Sequence, residues 1–368
     1  MTRSTPSYLI TGATGFLGRH IVATVRRDDP SARIVALVRD LSAARGSDLD
    51  YLDGATLLEG SPVEGSWADD PALGNLHGIY HLAAEVKHSR VSPEAMTAFN
   101  VDATMEMVRL GASRHCRVVF VSTSGTIGCS RNPEAAPDED SPHCVEAASG
   151  WPYYMSKIRA ENEASALAAE LGAEFVIIRP PVLLGPGDHR LRSVGNLMRV
   201  LDGRLPFIFD GGINFVDIRD AADAMVRAMR IASPRPSYNL PGTSSSLDDF
   251  FRRVARLAGI QASWRVLPSR FVRYLAALND RIGRPFGILP DQVVIEMASH
   301  YWGISSRYAE ADLGFHPRDP DATIADTIAS IRHSRSRLAV DRARKSAVAR
   351  DHTVIARTEE FQSRQSRG

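Results

Sequence analysis

Short apolar runs and amphipathic stretches alternate along the first half of this chain. Residues 8–10 (Tyr8, Leu9, Ile10), 33–39, 55–58, 78–84 and 117–123 are compact apolar runs that read as buried strands. After the first run, Phe16, Leu17, His20, Ile21 and Val25 recur at helical spacing. A longer helix is predicted over 92–114, opened by Ser92-Pro93 and carrying Met96, Phe99, Asn100, Ala103, Met107 and Leu110 on one face. A further amphipathic helix follows Tyr153 and runs through Leu171. Strands alternating with helices predict an α/β chain built on a parallel sheet.

The link between the first strand and the first helix is Thr11-Gly12-Ala13-Thr14-Gly15-Phe16-Leu17-Gly18. A strand turning through glycines directly into a helix aims that helix's unpaired N–H groups and positive dipole end at whatever lies above the turn. A pyrophosphate is the usual occupant. Gly12 allows the tight turn, Gly15 lets the backbone approach phosphate, and Gly18 lets helix and strand pack closely. Thr14, Phe16 and Leu17 complete the candidate cofactor-binding set of the turn. The expected architecture is a Rossmann-type doubly wound parallel sheet with a smaller C-terminal α/β substrate-binding cap.

At the end of the second strand Arg39 stands 21 positions after Gly18, with Asp40 behind it. An acid here selects NAD through the ribose 2′-hydroxyl, whereas an arginine accommodates the 2′-phosphate of NADP. The arginine favours NADP(H) over NAD(H), with Arg45 as a candidate second cation; Asp40 turned to the ribose, or Arg39 as a solvated strand end, is the alternative. The fourth strand ends in Leu82, Ala83 and Ala84, residues that let a cofactor lie against the backbone. His81 reads as a core-edge histidine, since no metal-ligand spacing surrounds it.

The fifth strand brings Ser122, Thr123 and Ser124 to the carboxyl edge of the sheet, where open α/β folds bind ligands. Downstream, Tyr153 and Lys157 at i and i+4 share one helical face. An isolated tyrosine, with a pKa near ~10, is a poor acid–base catalyst at neutral pH. A neighbouring ammonium favours the phenolate and lowers that value, and it can also bond the nicotinamide ribose.

Together, the glycine turn, Thr123, Tyr153 and Lys157 resemble the extended branch of the short-chain dehydrogenase/reductase superfamily, the NAD-dependent epimerase/dehydratase type. Residues 178–188 (beginning Ile178-Arg179-Pro180-Pro181-Val182), 215–220, 238–242 and 305–309 extend the likeness from about residue 8 to about 333. Val38-Arg39-Asp40 is most similar to members of the dihydroflavonol-reductase and hydroxysteroid-dehydrogenase kind. The resemblance implies Thr123 as the active hydroxyl, with Ser124 as alternative, Tyr153 as acid–base and Lys157 as its tuner. It implies that Asn100 braces the strand beneath the cofactor, that the backbone of Pro180 and Val182 meets the carboxamide, and that the chain forms a homodimer. Ser61 departs from the aspartate usual there, and Ser124-Gly125 depart from the Asp-Glu of dehydratases. The implied activity is NADP(H)-dependent reduction of a ketone or aldehyde on a small apolar, flavonol-, steroid-, polyketide- or lipid-like substrate. An NAD-dependent nucleotide-sugar epimerase is the alternative, followed by an acyl-thioester reductase and a non-catalytic dinucleotide sensor.

Composition adds limits. The 368 residues are 44% hydrophobic and 24% charged, with net charge +1, which gives no reason to expect nucleic acid. No apolar run of ~18 residues predicts a membrane span. The N-terminus lacks an apolar leader, and Cys116, Cys129 and Cys144 show no paired spacing, so a reducing cytoplasmic location is expected. The expected organisation is a cofactor-binding domain over 1–185 with returns near 213–242, a cap over 186–333, and a basic tail over 334–368. Arg190 and Arg192 are candidates to meet an anionic substrate or are plain loop arginines. The aromatic segment 264–304, including Trp264, Phe271, Tyr274, Leu275, Phe286, Ile288, Leu289, Tyr301 and Trp302, forms the cap's own core or a lid over an apolar substrate.

Overall fold

A computed structural model describes residues 5–44, 47–88, 93–189, 191, 194–268, 270, 271, 274 and 292–337. Arg45, Ser92, Arg190, Arg192, Leu275, Phe286, Ile288, Leu289 and the tail beyond 337 lie outside the described residues. Strands β1 (Ser7–Thr11), β2 (Arg33–Val38), β3 (Thr56–Glu59), β4 (Gly78–His81), β5 (Arg117–Val121) and β6 (Phe175–Arg179) alternate with helices. These are α1 (Phe16–Asp28), α2 (Leu41–Ala44), α3 (Pro93–Ser113), α4 (Val145–Ala148) and α5 (Pro152–Leu171). The second half supplies β7 (Val182–Leu184), α6 (Gly195–Leu201), β8 (Phe207–Phe209), β9 (Gly212–Asp217), α7 (Ile218–Arg230), β10 (Ser237–Asn239), β11 (Thr243–Ser246), α8 (Leu247–Ala258) and β12 (Arg265–Leu267).

The main sheet has seven strands in the order β10-β6-β5-β4-β1-β2-β3, every pairing parallel. Strand order reverses between β1 and β4, and such a switch point opens a crevice at the carboxyl edge. Both faces of the sheet are buried, which is why its strands are continuous apolar runs. Ile10, Val119 and Tyr80 pack with Ile21, Val25 and Met225 of α1 and α7 on one face. Their sequence neighbours Leu9, Val118 and Ile79 pack with Met107 and Leu110 of α3 on the other. The cap is built on a β11-β9-β7 sheet and a β12-β8 pair, over a core of Leu184, Phe215, Phe250, Val254, Ile324 and Ile328.

One expectation about strands is corrected by their bounds. The fourth and fifth strands end early, at His81 and Val121, so Leu82–Ala84 and Ser122–Ser124 belong to the turns beyond them. Within the return expected near 213–242, β10 joins the main sheet beside β6, whereas β9 pairs with β7 and β11 outside it.

His81 is 1% exposed and bonded on both ring nitrogens. Thr11 Oγ1 already accepts the N–H groups of Leu82 and Ala83, so its own proton goes to His81 Nδ1 at 2.8 Å. That leaves the imidazole neutral, and burial, with the Lys157 charge adding to it, pushes its pKa down to about 3. A folded value below the unfolded ~6.5 means stability is full above that pH and falls as pH drops towards 3. Urea unfolding from pH 7.5 to 4.5 is expected to show this loss, up to ~1.4 kcal/mol per pH unit. The component should vanish in His81→Gln; identical pH slopes in both proteins would contradict it.

Candidate active site

A cleft of about 440 Å³ lies above the β1–α1 turn, walled by Gly12, Thr14, Gly15, Phe16, Arg39 and the Leu82–Lys87 segment. Its floor depends on missing side chains. Gly12 adopts φ +70°, and a Cβ there would come within 2.8 Å of the Ala83 nitrogen. At Gly18 a Cβ would meet the Gly12 carbonyl oxygen at 2.4 Å, so α1 reaches its place only because that atom is absent. No side chain caps α1 at Gly15, so the first N–H groups of this 13-residue helix remain for a ligand's oxygens. The Leu17 side chain packs against the core, which leaves only its backbone facing that end. This uncapped glycine cradle fits the pyrophosphate of a dinucleotide.

At the far wall Arg39 is exposed where β2 ends. Asp40 Oδ1 accepts both the backbone N–H (2.8 Å) and hydroxyl (2.6 Å) of Ser42, committing that oxygen to the start of α2. Ser61 is held through its carbonyl by Trp67 Nε1 at 2.7 Å, while its neighbours Gly60 and Pro62 line the cleft.

Along the sheet edge, α5 begins with Pro at its first turn and carries Tyr153 and Lys157 on one face. Lys157 is 3% exposed; its Nζ donates to the Val121 carbonyl at 2.7 Å and sits 4.4 Å from the Phe120 ring centre. Burial lowers the Lys157 pKa to about 7, opposed by the Glu161 charge. Burial also pushes the Tyr153 phenol up to about 12, opposite to the lowering expected from its ammonium neighbour. Burial is the one cause of the Tyr153 shift, and the Lys157 donor goes to the Val121 carbonyl.

The choice among three successive hydroxyls rests on burial, because β5 ends before them and strand alternation does not apply. Ser122 and Ser124 are buried, whereas Thr123 is half-buried, and its Oγ1 caps a one-turn helix by accepting from Gly125 N–H. A Cβ on Gly125 would come within 2.0 Å of the Tyr154 ring, so the Thr123 turn is pressed against the start of α5. Pro180 and Val182 follow on the next strand end: the Pro180 carbonyl accepts Ser124 N–H at 2.9 Å, and Val182 is exposed.

Asn100 stands behind the cleft, 2% exposed. Its Oδ1 accepts Glu85 N–H (2.8 Å) and its Nδ2 donates to the Glu85 carbonyl (3.0 Å) and to Ser156 Oγ (2.9 Å). Ser156 in turn donates to the Tyr153 carbonyl at 2.7 Å. Asn100 thus ties the cleft wall to the tyrosine helix, with both amide hydrogens engaged by protein.

Two neighbours escaped the sequence reading. His88 lies edge-on to Tyr153, ring centres 5.6 Å apart, at the end of the wall after β4. Only its proximity in space reveals it. Glu161, one turn beyond Lys157, was visible as the next i+4 position on the same face. Tyr154, by contrast, is a packing residue, stacked 5.2 Å from Trp302 of the cap.

Comparison with known proteins shows the family. A model of the NAD dependent epimerase/dehydratase family matches residues 8–240. A putative dihydroflavonol 4-reductase of Synechocystis is 26% identical over 89% of this chain and 93% of its own length. The dihydroflavonol 4-reductase of Zea mays is 31% identical over 48% of this chain and 53% of its own, so that likeness spans about half of each protein. Among solved structures, the crystal structure of gox2253 superposes with a TM-score of 0.76 at 26% identity, covering 89% of this chain and 98% of that one. The chain therefore belongs to the NAD-dependent epimerase/dehydratase family and is an NAD(P)-dependent oxidoreductase of the extended short-chain dehydrogenase/reductase type.

Proposed function

We propose that this enzyme is an NADP(H)-dependent carbonyl reductase, working reversibly on the ketone or aldehyde of a small apolar, flat substrate. The observation that carries the reading is the junction of two features on one sheet edge. The uncapped glycine cradle lies at the β1–β4 switch point, and the helix that carries Tyr153 and Lys157 meets the end of β5 through the Lys157 bond to the Val121 carbonyl and the Tyr154 ring against Gly125. The names of the relatives from Synechocystis and Zea mays, both dihydroflavonol 4-reductases, support the substrate class. So does the aromatic group beside Tyr153, made of Tyr154, Trp151 and Trp302.

The cofactor, when bound, supplies or takes the hydride at the carbonyl carbon. Gly12, Thr14, Gly15 and the first N–H groups of α1 hold its pyrophosphate, Arg39 its 2′-phosphate, and Val182 the nicotinamide end. Tyr153 gives its phenolic proton to the carbonyl oxygen as hydride arrives, and takes it back in the reverse direction. Thr123 donates a hydrogen bond to the same oxygen while charge develops there. Lys157 holds the ribose and steadies the phenolate through its charge. Homodimerisation belongs to this proposal as a family property.

Tyr153→Phe is expected to reduce kcat with NADPH and a carbonyl panel by about 10²–10⁴-fold. NADPH binding, followed by fluorescence, should stay unchanged; retained turnover would overturn the assignment. Arg39→Ala is expected to weaken NADPH binding on the order of tenfold, the size of one lost charge-assisted bond, and to leave NADH binding unaltered. Equal NADPH and NADH affinities in the parent enzyme would overturn the NADP assignment and favour the epimerase alternative.

A further inference from the structure

We propose that Glu161 is a positioning residue for this reaction: it locks the Thr123 turn against the helix that carries Tyr153 and Lys157 and favours the charged form of Lys157. This rests on the proposed roles of those three residues. Tyr153, Lys157 and Glu161 occupy i, i+4 and i+8 of α5, so they line one stripe of the helix. Glu161 is 1% exposed, yet its carboxylate gathers donors from three other parts of the chain.

Oε1 accepts the Ser122 hydroxyl and lies 3.0 Å from Thr126 Oγ1. Those two residues flank Thr123, and Thr126 Oγ1 is also 3.0 Å from the Thr123 carbonyl. Oε2 accepts His143 Nε2 at 2.8 Å and Arg179 Nη2 at 2.7 Å. Arg179 is the last residue of β6, immediately before Pro180 and the Val182 strand. One side chain therefore registers the ends of β5 and β6 and the segment before α4 against the helix that carries the acid–base pair. A buried ion pair serving only to hold a helix on a sheet has no reason to grip Ser122 and Thr126, on either side of the reacting hydroxyl. Displacements of about 1 Å in such a constellation cost on the order of 10²-fold in rate.

The electrostatic half of the inference follows from what faces Lys157. On its own helix these are Tyr153 and Glu161. From β4 comes His81, which is neutral, and from β5 the Phe120 ring and Val121 carbonyl. Arg179 and His143 stand behind Glu161. Of the groups acting on Lys157, burial opposes the ammonium and Glu161 favours it. Burial alone would raise the Glu161 carboxyl as well, but the bonds from His143, Arg179 and Ser122 reverse that and hold it at about 2. It is thus anionic at every working pH. Without that charge Lys157 gives up its proton at lower pH, and the reduction loses its tuned acid from the basic side.

The test compares Glu161→Gln, and the double variant Glu161→Gln/Arg179→Gln that leaves no unpaired guanidinium buried, with the parent enzyme. Circular dichroism and thermal melting establish folding; kcat is then followed against pH with NADPH and a carbonyl substrate. The expected result is a fall in kcat of about tenfold or more. The basic limb should move about one pH unit downward, NADPH affinity should stay within about twofold, and Glu161→Asp should restore part of the rate. A folded double variant with wild-type turnover, or with lowered kcat and an unmoved basic limb, would overturn the proposal. Undiminished turnover in Tyr153→Phe would instead mark failure of the underlying reading, so the two failures are distinguishable.

Discussion

The close approach of α1 to the first turn is the constraint on which the rest of the molecule depends. A single hydrogen in place of a methyl at Gly18 lets the helix seat on the Gly12 carbonyl, and a positive φ at Gly12 lets the turn pass under Ala83. Only with both satisfied does a bare helix N-terminus open onto the gap between β1 and β4. Every other candidate group is measured from that point: Arg39 at one end of the cleft, the α5 stripe along the edge, and the Pro180–Val182 strand end beyond it. The parallel sheet itself supplies the rigidity, since its alternate residues feed two separate cores, one on each face.

Much of this was written in the sequence because it depends on local rules. The glycine spacing after an apolar run specifies a strand–turn–helix, and the i, i+4 spacing of Tyr153 and Lys157 specifies a shared face whatever the tertiary setting. What stayed hidden depends on neighbours distant along the chain. Ser122, Thr123 and Ser124 are chemically near-equivalent in the sequence; burial separates them, and burial is settled by Glu161 drawing in Ser122 from the opposite wall. Glu161 itself reads as one more acid on a charged helix until Arg179 and His143 are brought to it. Within 213–242 the sequence does not separate β9, which pairs outside the main sheet, from β10, which pairs within it, because pairing partners are a property of topology and not of composition.

Desolvation governs the chemistry more than proximity does. Tyr153 and Lys157 are drawn towards their neutral forms by burial, the phenol upward and the ammonium downward. Against that stand one buried carboxylate, one backbone carbonyl and one aromatic face. A buried pair so balanced responds to small changes in local charge.

The cap is stitched to the catalytic half by an isolated antiparallel bridge in which Ser130 and Tyr301 exchange backbone hydrogen bonds at 3.0 and 2.7 Å. Trp302, the next residue, then stacks on Tyr154 beside Tyr153. Both contacts join segments far apart along the chain, and closing such long loops is slow. On the ribosome, the sheet and its glycine turn have emerged in full well before the segment that roofs the tyrosine. The strands that frame the glycine turn are therefore synthesised before the aromatic residue that packs on Tyr154.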